Sequence, residues 1–108
     1  MPIPADTPLF ANNVLTGLAA DISGAALTLS VTATDGADMP SPDIYEYFVI
    51  LVERISDGSK EIMHCVGRTA DTLTVDRAQE GTAALAFTAG DRITMPLTAG
   101  LLEFLRDT

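Results

Sequence analysis

The chain has 108 residues, 47% of them apolar, and 15 acids against 6 bases give it a net charge of −9. That length suits one domain, in which roughly 65% of the unfolded surface becomes buried. One cysteine excludes an intrachain disulfide framework, the longest apolar runs (Phe48–Val52, Ala83–Phe87) are too short to cross a bilayer, and the acidity argues against binding nucleic acid through phosphates.

The first eight residues hold Pro2, Pro4 and Pro8. Proline fixes φ and donates no ladder hydrogen bond, which predicts an extended arm over about 1–9, ordered only where something holds it. No base precedes Arg54, and a secretory leader starts with positive charge, so none is expected in this stretch. Residues 13–20 fit strand or helix equally. Ala26-Leu-Thr-Leu-Ser-Val-Thr32 alternates, which predicts a strand with Leu27, Leu29 and Val31 on one face. Asp35-Gly36 and Pro40-Ser-Pro42 mark a turn-rich loop. Asp35, Asp38 and Asp43 in that loop offer oxygen ligands, yet their spacing matches no EF-hand, and solvated turn formers are the expectation.

Tyr45–Glu53 is the most β-prone run and predicts a strand buried on both faces in its middle. Ser56-Asp-Gly-Ser59 reads as a hairpin turn in which Gly58 takes positive φ. The return strand spans Glu61–Arg68, with Ile62, His64 and Val66 alternating against Met63, Cys65 and Gly67. Thr72–Val75 and Arg92–Met95 are two further short strands. Pro96 stops the last one, Thr98 can cap a short helix, and Leu101, Leu102, Phe104 and Leu105 follow. A helix of about two turns is unstable alone in water, so this segment is expected to dock on the domain or on a neighbouring subunit. The fold class that results is mainly β: a small barrel or sandwich with a short C-terminal helix, in one domain over 1–108.

Catalytic chemistry finds little purchase. His64 is the only histidine, and Cys65 beside it points to the opposite face of the strand, so the two form no dyad. No phosphate-cradling glycine loop is present, and zinc lacks ligands. The chain is therefore expected to be no enzyme and to need no cofactor or metal.

The informative segment is Glu61–Arg68, then Thr72-Leu-Thr-Val-Asp-Arg77, Gln79-Glu-Gly-Thr82, and Phe87-Thr-Ala-Gly-Asp-Arg92. It resembles a small β-domain of bacteriophage virion proteins, found at the N-terminus of tail fibres and minor tail proteins. Phe10-Ala-Asn-Asn-Val14, Leu27-Thr-Leu-Ser-Val31 and Tyr47-Phe48 have counterparts there too. The specific part is Arg77, Gln79, Glu80, Gly81 and Thr82 together with Phe87, Gly90, Asp91 and Arg92. The chain departs from the pattern at Ala70 and Ala78, where glycine is usual. Physically, Gln79–Thr82 predicts a tight turn with Gly81 left-handed, Phe87 a plug at one end of the barrel, and Ala89-Gly-Asp91 a turn into the last strand. Arg77 and Arg92 are expected to hold the loop by pairing with Asp76, Glu80 or Asp91.

The resemblance implies a virion structural protein made in the host cytoplasm: a tail-associated adaptor or fibre-attachment component, with capsid decoration as the alternative. It implies contacts with other tail, fibre or capsid proteins and a homo-oligomer, a trimer where it follows the symmetry common in fibres. Pro2, Pro4, Pro8, Leu101, Leu102, Phe104 and Leu105 are the interface candidates.

Overall fold

The computed structural model describes residues 7–9, 15–44 and 46–95. Their architecture is mainly β, as the alternation predicts: a curled six-strand antiparallel half-barrel with a seventh short strand beside it. In chain order the strands are β1 (Thr7–Leu9), β2 (Leu15–Gly17), β3 (Thr28–Ser30), β4 (Glu46–Glu53), β5 (Lys60–Thr69), β6 (Thr72–Gln79) and β7 (Arg92–Thr94). The sheet runs β2-β7-β4-β5-β6-β3. Its two outer strands meet at one end through the antiparallel bridge Leu18↔Val31, where the Ala19 N–H donates to Ser30 and the Thr32 N–H to Gly17.

β4 is the strand around which the rest is arranged. One edge pairs with β5 from Phe48↔Cys65 to Glu53↔Lys60. The other edge is shared: β1 lies parallel along Glu46–Phe48, and β7 lies antiparallel along Leu51–Glu53. Part of the proline arm is thus a strand, with Pro8 opposite Tyr47. Pro2, Pro4 and the predicted helix with Leu101, Leu102, Phe104 and Leu105 lie outside the described residues.

Alternation divides β4 into two faces. Phe48, Ile50 and Val52 enter the main core with Met63, Cys65, Leu73, Val75, Phe87 and Ile93, all essentially buried. Tyr47 and Val49 point the other way and pack with Ile62 and Val66. At roughly 25 cal/mol per Å² of apolar surface, each fully buried large side chain of the main cluster stabilises the fold by about 1.5–3 kcal/mol.

Three sequence expectations need correcting. β3 is shorter than 26–32: the chain bends at Leu27, whose side chain is 65% exposed although its carbonyl accepts the Val75 N–H at 2.9 Å. β6 is longer than Thr72–Val75, because a bulge carries the ladder past Asp76: the register moves from His64↔Asp76 to Ile62↔Gln79, setting an extra residue into β6. Ala78 takes φ +55° there, a conformation that bulges favour glycine for. The third concerns the arginine pairings, taken up below.

The β5–β6 hairpin closes through Ala70-Asp71, between the paired Thr69 and Thr72. Ala70 has φ +54°, the first central position of a II′ turn, where glycine is preferred. Its neighbour Asp71 accepts hydrogen bonds from the Thr34 and Gly36 N–H groups at 3.0 and 2.9 Å. These two bonds hold the Asp71 carboxyl below its ordinary range and tie the 3₁₀ turn Asp35–Asp38 to the hairpin. Gly36 is required there, since a Cβ would stand 2.2 Å from the Ala70 carbonyl oxygen.

Candidate functional site

The resemblance motif folds around one buried ion pair. Glu61 stands first on the inward face of β5, in phase with Met63 and Cys65, and its side chain is 0% exposed. The β6 bulge aims Arg77 at it from the neighbouring strand. The pairing is bidentate: Arg77 Nε donates to Glu61 Oε2 at 2.8 Å and Nη2 to Oε1 at 2.9 Å. Arg77 Nη1 donates to the Ser23 and Ala26 carbonyls at 2.9 and 2.8 Å, and Nη2 also to Leu85. All five guanidinium N–H groups are then used.

Glu61 is equally saturated. Besides Arg77, it accepts from the Ala78 N–H at 2.9 Å and the Leu85 N–H at 2.8 Å. Burial raises its pKa, but the Arg77 hydrogen bonds and the two backbone donors outweigh this and hold the carboxyl below the ordinary 4.5. One carboxylate and one guanidinium thus fasten four pieces of chain: the loop at 23–26, β5, β6 and the crossing at 85.

The rest of the motif continues from this pair. At Gln79–Thr82 the Thr82 N–H returns to the Gln79 carbonyl at 3.0 Å, with Glu80 at φ +52° and Gly81 at φ +82°, the φ signature of a type I′ turn. Thr82 Oγ1 accepts the Ile62 N–H at 3.1 Å and donates to Gln79, which extends the β5 ladder through a side chain. Phe87 is 2% exposed, bridges to Ile22, and lies under the Arg54 guanidinium at 5.8 Å. Asp91 is buried and accepts from the Thr88 and Ile55 N–H groups, while Gly90 takes φ +95° and donates to Leu18.

The arginine partners therefore differ from expectation. Arg77 pairs with Glu61, because Asp76 next to it in the strand points to the opposite, solvent face. Arg92 meets Glu53 across the β4–β7 pair at 3.8 Å, with its side chain 54% exposed, a geometry worth little. Glu80 stands 4.0 Å from His64.

His64 and Cys65 take opposite faces of β5. His64 stacks on Tyr47 with ring centroids 4.5 Å apart. Burial pushes its imidazole below the ordinary 6.5, against the opposing pull of the Glu80 and Asp76 carboxylates. The Cys65 thiol lies wholly in the core, where burial pushes its pKa up to about 12. A thiol in that state is no nucleophile. Asp35, raised in the sequence as a possible oxygen ligand, accepts the Thr16 hydroxyl at 2.6 Å. No cluster of three or more His, Cys, Asp or Glu side chains suited to a metal ion occurs among the described residues.

Sequence reading missed Glu61 as the partner. The available signal was parity: an acid in phase with Met63 and Cys65 must face the core and needs a cation there. The carbonyls of Ser23, Ala26 and Leu85 left no signal, since backbone groups have no side-chain identity. Compared with known proteins, the chain matches no protein-family model and none of the curated protein sequences.

Proposed function

We propose that this chain is a bacteriophage virion structural protein, a tail-associated adaptor or fibre-attachment component that works by protein–protein contact and performs no catalysis. One observation carries the reading. The residues that resemble the tail-fibre domain, Arg77–Thr82 and Phe87–Arg92, are engaged in internal bonds: Arg77 has no N–H left for a ligand, Thr82 completes a strand ladder, and Asp91 caps a turn. A motif used up in this way supports a scaffold, and function then resides in surfaces placed by the scaffold.

On this reading the protein is made in the host cytoplasm, resides in the virion, and self-associates with closed symmetry, three-fold as fibres commonly are. Its net charge of −9 suits protein partners rather than nucleic acid or an anionic membrane. The test is quantitative mass spectrometry of purified virions, with copy number taken relative to the major capsid protein. A few to tens of copies, on the order expected from tail symmetry, support the adaptor. Hundreds transfer the protein to capsid decoration, and absence from the particle overturns the structural assignment.

A further inference from the structure

Beside the Ala70-Asp71 turn the main core is joined by a segment that belongs to no strand. Residues 33–43 lie between the bridge at Val31 and the start of β4, and only the 3₁₀ turn Asp35–Asp38 gives them regular structure. Gly36 and Met39 are the buried residues among them. Gly36 contributes no side chain. Met39, 4% exposed and part of the main cluster, is therefore the one apolar group that fastens the segment to the core.

The other fastenings are polar and meet at one joint. Asp71 accepts the Thr34 and Gly36 N–H groups, and Arg68 reaches both sides, with Nε on the Pro40 carbonyl at 3.2 Å and Nη1 on the Ala70 carbonyl at 2.9 Å. Asp35 adds its bond from the Thr16 hydroxyl. The closed position is held against strain. Thr34 has φ +74°, a left-handed conformation that a β-branched residue rarely takes, and its side chain makes no capping bond. Ala70 across the joint is left-handed as well, at φ +54°. β4 and β5, by contrast, share a continuous ladder and a row of buried side chains. A segment with one apolar anchor and a strained hinge stands at the low end of local stability.

We propose that residues 33–43 form a strap that opens as a unit while the sheet stays folded, with Asp71 as its latch and Met39 as the stopper drawn out of the core. Opening carries the Met39 thioether into solvent and leaves its place in the main cluster uncovered. The strap is then the moving part of a scaffold that is otherwise bonded throughout. The inference is independent of the virion assignment.

The test is native-state hydrogen exchange on the full chain in increasing, sub-denaturing urea. The Gly36 and Met39 amides are expected to exchange on the order of 100-fold faster than those of Ile50 and Met63, which face each other across β4 and β5, and with little dependence on urea. Dilute peroxide is expected to oxidise Met39 before Met63, which shows that the side chain leaves the core with the backbone. Asp71→Ala removes the latch and is expected to speed Met39 oxidation about tenfold, as loss of a capping carboxylate does. Thr34→Gly relieves the strained hinge and is expected to slow it roughly fivefold. Strap amides that share the rate and urea dependence of Ile50 and Met63 would overturn the proposal, since the segment would then open only when the whole fold does. Met39 oxidising in step with Met63, or at an unchanged rate in the Asp71 variant, would overturn it too.

Discussion

Replacing Arg77 with alanine tests whether the buried pair holds the motif together. The substitution leaves a carboxylate that is 0% exposed with two of its four hydrogen-bond donors, and strips a donor from the carbonyls of Ser23, Ala26 and Leu85. Breaking a buried pair from one side costs about 3–5 kcal/mol. The three carbonyls add little to that, because Ser23 is exposed and water reaches the loop ends. An overall loss of about 4 kcal/mol is expected, a large share of the 5–15 kcal/mol typical of a domain and roughly 15 °C in Tm. Urea denaturation followed by circular dichroism, with m unchanged, measures it. The double substitution E61L with R77M removes both charges. Buried pairs exchanged for apolar side chains are often neutral, yet here the Ala78 and Leu85 N–H groups lose their acceptor, at about 1–3 kcal/mol each where dry. The double variant is therefore expected to stay about 3 kcal/mol below the parent, while costing less than the two single substitutions added together. A loss below about 1 kcal/mol for R77A, or a double variant as stable as the parent, would refute the claim that the pair fastens these loops.

Three further outcomes follow from local geometry. Gly36→Ala drives a Cβ to 2.2 Å from the Ala70 carbonyl oxygen and is expected to cost about 2–3 kcal/mol in urea melts, more than Gly81→Ala, where only φ +82° is strained and about 1 kcal/mol is lost. Ala78→Gly relieves a left-handed alanine worth about 1 kcal/mol and returns part of that as unfolded-state entropy, so a net gain of about 0.5 kcal/mol and a small rise in Tm are expected; a fall in Tm would contradict the bulge assignment. The His64 pKa is lowered in the folded state, so the unfolded chain takes up the proton first, and stability present above pH 6.5 falls as pH drops toward the folded value. His64→Phe keeps a ring against Tyr47 and should flatten that dependence in melts between pH 7.5 and 5; an unchanged slope assigns it elsewhere.

The central strands were legible because their cause is local. Tyr45–Glu53 and Glu61–Arg68 are β-prone runs joined by a turn whose glycine needs positive φ, and β4, β5 and Gly58 at φ +77° realise each part. Leu27 was misplaced because alternation says which side a residue takes only while the strand lasts. The bulge at Ala78 moved the frame by one residue and carried the strand four residues beyond Val75, which no count along a single chain reveals. Of the site, the turn at Gly81 and the buried Phe87 were readable from residue type. The bidentate Glu61 was not, because its partner is chosen across strands and by backbone groups fifty residues away in sequence, at Ser23 and Ala26.

The sharing of one β4 edge by β1 and β7 governs the order in which the fold can be completed. β4, β5 and β6 follow one another through hairpins, so they can assemble from local contacts alone. Every remaining partner of β4 is remote in the chain: Thr7 meets Glu46 and Arg92 meets Glu53. On a ribosome β1 emerges before β4 and can cover Glu46–Phe48, but the Leu51–Glu53 part of that edge stays bare until β7 is synthesised. Loop closure of this length slows a β fold toward the millisecond-to-second range. During that interval the open edge can accept a strand from another chain, so crowded synthesis is the circumstance in which this protein is most exposed to misassembly.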